Sequence, residues 1–270
     1  MATLSINWLK GSHFLNIPTM KYPAYYLTVL FVLSALPACQ QDRFKEDMIA
    51  FDKTFVPVYY HIAQEDNYMA KRAVFRLDFQ WQKFFNKYAE QFPEDENWTE
   101  GFRRANSWLQ DAYTAIATND AATAYMQLDH FRYEMIKLRA RQEMPYYLDK
   151  VWDFQIALDM VMEVVRDPEL CLVEWVHFED MVAELDASWL ALKQNEPEIL
   201  LYNWDKEKVK TFRSKRNELG YCFEHFKEGL LCTDDRRFIA NNCDEIEPKL
   251  MELIALFGDF EANQSYYARK

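Results

Sequence analysis

Beyond residue 43 the apolar positions recur at spacings of three and four, the period that lines one face of an α-helix. From Ala124 a stripe runs through Leu128, Phe131, Met135 and Leu138; from Ile239 another runs through Cys243, Ile246, Leu250 and Leu253. The two match position for position, with Asp129 and Asp244 in register. Val74, Leu77, Trp81, Phe84 and Tyr88 match Trp175, Phe178, Val182, Leu185 and Trp189 in the same way. Phe51, Phe55 and Tyr59 match Trp152, Ile156 and Met160, with Asp52 against Asp153. Ala105, Leu109, Ala112 and Ile116 match Leu219, Phe223, Phe226 and Leu230, with a small register shift in the turn that follows. Four helices thus occur twice in one order.

The pattern predicts an all-α protein of about eight helices, over 44–64, 68–91, 97–117 and 120–143, then 146–166, 168–194, 206–231 and 235–261. Short links make sequential helices antiparallel, so two tandem up-down four-helix units are expected. Repeat 1 covers 44–144, repeat 2 covers 145–262, and 263–270 is a tail. Asp167-Pro168-Glu169 reads as an N-cap, first helical position and acidic first turn. Met144-Pro145 divides the halves, and 195–205, with Pro197, is a connector that the first half lacks. Pro57 and Pro248 fall inside predicted helices and should kink them or mark their ends. Two bundles side by side and one continuous array both satisfy the pattern.

Composition narrows the class. Only 5 glycines in 270 residues leave little for hairpins or phosphate loops, and a net charge of −12 excludes a nucleic-acid partner. Residues up to Ala38 carry Lys10 and Lys21 and no acid, and Tyr25–Ala38 is an apolar run too short to span a bilayer. That is the layout of a secretory signal peptide, with Met1 or Met20 as its start. It ends in Leu36-Pro37-Ala38-Cys39, which resembles the lipobox of bacterial lipoproteins. The resemblance implies a signal peptide over 1–38, removed when Cys39 is acylated with palmitate or a similar chain. A polar tether over 39–43 then joins the lipid to the helical body. Gln40 rather than Asp follows the cysteine, which points to the outer membrane and leaves both its periplasmic face and the cell surface open.

The remaining cysteines, Cys171, Cys222, Cys232 and Cys243, all lie in the second half. An even count in an exported chain reads as disulfides, and antiparallel helices would level Cys222 with Cys243 and Cys171 with Cys232. Small buried hydrophobes are the competing reading.

Catalytic and cofactor signals are weak. No CxxC, HxxxH or G-x-S-x-G occurs. The up-down architecture resembles haem-binding bundles of the cytochrome b562 and cytochrome c′ kind, although no CxxCH is present to attach a haem covalently. Of the Glu-x-x-His motifs that ferritin-like sites need in pairs, Glu174–His177 stands alone. If a metal binds, Glu174, His177, Asp180, His225 and Glu228 form the best cluster. His61, His130, His177 and His225 otherwise read as structural or solvated.

The junction between 120–143 and 146–166 is dense in polar residues: Asp129, Arg132, Arg139, Arg141 and Asp149. It loosely resembles a pattern in exported helical-bundle proteins, where histidines stand at the places held here by Tyr125 or Met126 and by Gln155. Arg–Asp pairs clamping the junction explain it best. The aromatics at helix ends and connectors, Tyr59-Tyr60, Tyr146-Tyr147 and Tyr202 with Trp204, read first as ordinary packing, with exposed ligand or partner contacts as the alternative. The whole reads as a lipid-anchored, non-catalytic envelope scaffold or binding protein, with a protein or small ligand as partner. The alternative is a metal- or haem-binding bundle that handles ions or electrons.

Overall fold

A computed structural model describes the backbone of residues 23–166, 175–232 and 236–261, and the side chains of 42–166, 177–229 and 245–261. Among the described residues the chain is helical and has no strand. The elements are α1 (Pro23–Ala63), α2 (Asn67–Tyr88), α3 (Glu96–Thr118), α4 (Ala121–Arg141), α5 (Tyr147–Arg166), α6 (Trp175–Gln194), α7 (Ile199–Tyr202), α8 (Lys206–Cys232) and α9 (Arg236–Ala255). The Asp167-Pro168-Glu169 signal lies outside the described residues. Among them, no helix is long and apolar enough to cross a membrane. Met1–Asp42 is one unit; a second, compact unit begins at Arg43, and its core opens with Phe44.

One device starts four of the helices. The carboxylates of Asp66, Asp95, Asp120 and Asp205 accept backbone N–H groups of Met69, Asn97, Thr123 and Lys208 at 2.8–3.1 Å, satisfying donors that a helix start leaves free. Asn119, at φ 62°, ends α3 in the left-handed region that asparagine tolerates.

Aromatic stripes then join the helices. Phe51 on α1 packs against Trp81 of α2 at 5.6 Å and Phe131 of α4 at 5.4 Å, while Tyr59 meets Trp152 of α5 at 5.2 Å. On the far side of α5, Phe154 meets Trp189 of α6 at 5.4 Å and Phe223 of α8 at 5.5 Å. A single hydrophobic core therefore runs through both halves, and α5 is its shared wall.

That position overturns the stripe expected on α5. Trp152 is buried, but Ile156 is half-buried and Met160 is 44% exposed. Val151, Phe154, Leu158, Val161 and Met162 are buried instead, because α5 is covered on two sides. α1, expected to be its counterpart in a repeat, sits in different surroundings, so the two helices do not have equal environments. Of the end-of-helix aromatics, Tyr59, Tyr146, Tyr147, Tyr202 and Trp204 are buried, as ordinary packing would have them, and Tyr60 is half-buried. The connector folds back through α7, and Tyr202 meets Phe257 edge-on at 5.2 Å while Trp204 packs on it, tilted, at 5.1 Å.

Neither proline marks a helix end; α1 runs on from Pro57 to Ala63 and α9 from Pro248 to Ala255. Pro57 cannot donate to the Lys53 carbonyl. The Asp259 N–H does so instead, at 2.9 Å. The last helix consequently stops before the expected position 261: the chain turns at residues 256–258 and docks on α1. Gly258 permits this, since a Cβ there would stand 3.0 Å from the Pro57 ring and 2.8 Å from Phe260.

Candidate functional site

Two buried polar networks interrupt the core, both at the places where α4 and α5 meet α1. The first is the junction clamp. The Arg139 Nε donates to both Asp149 oxygens at 3.0 and 2.9 Å, and its Nη2 also reaches Asp149. Both residues are buried, at 3% and 6% exposure, and the guanidinium lies 5.0 Å from the Tyr146 ring. The Tyr146 hydroxyl donates to Asp52 on α1 and lies 3.1 Å from the Tyr202 hydroxyl. Burial pushes the Asp52 carboxyl up to about 7, with Arg139 opposing. This is the Arg–Asp clamp expected from the sequence, and it also captures α1 and the connector.

The second network is built from helical spacing. Tyr125, Asp129 and Arg132 share one face of α4, and Gln155 and Asp159 share one face of α5. Gln155, 4% exposed, donates through Nε2 to the hydroxyls of Tyr59 and Tyr125 at 2.8 and 3.0 Å. Its Oε1 accepts Arg132 Nη1 at 2.9 Å, and Arg132 Nη2 holds Asp129 at 2.7 Å. The Tyr59 hydroxyl lies 2.8 Å from that of Tyr125 and donates to Asp129 at 3.2 Å. The Arg132 guanidinium is sandwiched near Trp152 at 4.6 Å and Tyr59 at 5.3 Å, and only its Nε has no partner. Burial raises the Asp129 carboxyl, opposed by Arg132.

Two members of this network, Tyr125 and Gln155, form the floor of a cleft of about 600 Å³, and the others lie beneath it. The end of α1 supplies Ile62 and Glu65, and the start of α4 supplies Ala121, Ala122 and Tyr125. From α5 come Gln155 and Asp159, and from α9 Glu247, Pro248 and Met251. Burial pushes the Asp159 carboxyl up to about 7; Arg132 pulls it down, while Asp129 and Glu247 push it further up. Glu247 is held by Arg166 at 3.0 Å.

The residues singled out in the sequence lie elsewhere. His177 and Asp180 are exposed on α6, and His225 and Glu228 are exposed on α8, 3.9 Å apart. The Glu174 side chain lies outside the described residues. No three His, Cys, Asp or Glu side chains among the described residues converge as metal ligands would. His130 is exposed and stacks on Trp108 at 4.6 Å, while His61 is half-buried, with burial lowering its pKa. Cys222 carries a free, half-buried thiol packed against the core, so the Cys222–Cys243 bond is not made here. The thiol behaves as a small hydrophobe, and burial raises its pKa. The side chains of Cys39, Cys171, Cys232 and Cys243 lie outside the described residues.

Of the cleft's polar residues sequence reasoning singled out only Tyr125 and Gln155, and it missed Asp159 and Glu247. The signal for Asp159 was an acid one turn beyond Gln155 on a helix whose apolar residues fall on every face. Comparison with protein-family models, curated proteins and solved structures finds no match.

Proposed function

We propose that this chain is a non-catalytic binding protein of the bacterial envelope, anchored by lipid at Cys39, whose cleft between α1, α4, α5 and α9 takes a small ligand. The anchor rests on the acid-free apolar run ending in Ala38-Cys39. The outer membrane is the site that Gln40 favours.

One observation carries the ligand reading: the cleft has a pre-organised floor. Gln155 is buried and fully bonded by Tyr59, Tyr125 and Arg132, so the floor is rigid before any ligand arrives. Its volume falls within the roughly 300–1,000 Å³ usual for small-molecule sites. Binding fits better than chemistry because the floor's polar groups are committed to one another.

The test is thermal unfolding of the full-length protein in mild detergent across a panel of charged and neutral small molecules. Ala122→Trp, which fills the cleft mouth, serves as the blocked control. A compound that stabilises the natural protein and not the variant supports the reading; equal responses contradict it. Mass analysis of the N-terminal peptide tests the anchor, with an acylated Cys39 expected and an unmodified one contradicting it.

A further inference from the structure

Resting on that reading of the cleft, we infer that its ligand is a small organic cation, an amine or quaternary ammonium with a compact apolar body, and that Asp159 is its counter-ion.

The walls choose the sign of the charge. Glu65, Asp159 and Glu247 line the cleft, and no Lys, Arg or His lines it among the described residues. The one guanidinium nearby, Arg132, sits beneath the floor, held by Asp129 and Gln155 and covered by Trp152. An anion would therefore meet carboxylates and find no cationic side chain on the lining.

The floor argues against a neutral polyol. Recognition of hydroxyl groups needs several free donors and acceptors aimed at the ligand. Here the Gln155 amide bonds Tyr59, Tyr125 and Arg132, and the two tyrosine hydroxyls bond each other, which leaves Gln64 at the rim as the one lining side chain, among the described residues, free to donate to a hydroxyl.

Among the described residues two acids on the lining are left over, Glu65, which is exposed, and Asp159, which is half-buried. Asp159 makes no hydrogen bond or ion pair with another described residue, whereas Glu247 is held by Arg166 and Asp129 by Arg132 and Tyr59. A half-buried carboxyl that makes no direct ion pair or hydrogen bond is costly to ionise, and a ligand's ammonium group relieves that cost. Facing it are Arg132, Asp129 and Tyr125 from α4, Glu247 from α9 and Arg166 on its own helix. Ile62, Leu250 and Met251 supply the apolar surface for the rest of the ligand.

The test is calorimetric titration of the full-length protein in mild detergent with cyclohexylamine, cyclohexanol and cyclohexanecarboxylate, three compounds of one shape and different charge. The ammonium form should bind about tenfold more tightly than the alcohol, and the carboxylate should give no saturable heat. Asp159→Asn, checked for a normal unfolding transition, should abolish that preference, and Glu247→Gln should reduce it less. Equal binding of the alcohol, or a preference unchanged in Asp159→Asn, overturns the cation assignment and leaves the cleft a ligand site. Heat from none of the three, together with no response across the wider panel, overturns both.

Discussion

The backbone N–H of Asp259 donates to the Lys53 carbonyl at 2.9 Å, at the one point where Pro57 deprives α1 of its own donor. The C-terminal turn thus supplies a hydrogen bond that the first helix lacks. Pro57→Ala restores an internal donor, which competes with Asp259. The expected outcome is faster hydrogen exchange at Asp259 and its neighbours, with little change in total helicity. Exchange mass spectrometry checks it, and unchanged protection at Asp259 contradicts it.

The buried pair Arg139–Asp149 makes a second prediction. Removing one partner leaves a charge without compensation in the core, at a cost of about 3–5 kcal/mol. Asp149→Leu and Arg139→Met should each lower the unfolding free energy read from urea titration by that order. The double variant should recover much of the loss, since two apolar residues leave nothing unpaired. Additive losses in the double variant would show that the pair does not act as a unit.

Stability should depend on pH through Asp52. Its carboxyl is raised from 3.8 to about 7 by burial, so between those values the folded chain holds a proton that the unfolded chain releases. The sign follows: this group's contribution is greatest below about pH 4, declines as pH rises to about 7, and is flat above. Asp52→Asn keeps an acceptor for Tyr146 and removes the titration. Relative to the natural protein it should gain on the order of 2–4 kcal/mol at pH 8 and almost nothing at pH 4. A difference between the two proteins that does not vary with pH rules this out.

The Cys222 thiol should be free in the protein as isolated. Without reductant, a maleimide should label it slowly in the native state and quickly in denaturant, since burial raises its pKa and limits access. Recovery of a disulfide-linked peptide joining Cys222 to Cys243 would contradict this.

The helices were legible because their physical causes are local. Asp66, Asp95, Asp120 and Asp205 each stand just before an apolar stripe and cap it. The junction clamp was legible because Arg139 and Asp149 are only ten residues apart across a short turn. The cleft was not. Asp159 and Glu247 come from α5 and α9, far apart in the chain, and either acid by itself looks like an ordinary solvated side chain. The packing of Tyr146 and Tyr202 was legible, but not their polar partners: the connector brings the Tyr202 hydroxyl to that of Tyr146, which donates to Asp52.

The central claim is that the cleft over Gln155 holds a small molecule. Native mass spectrometry of the full-length protein, released from membranes in mild detergent, tests it most directly. The natural protein should carry an added small-molecule mass that gentle activation removes and that Ala122→Trp lacks. Identical masses for the two proteins after correction for the substitution, with no adduct on either even when the cationic panel is supplied, would contradict the claim.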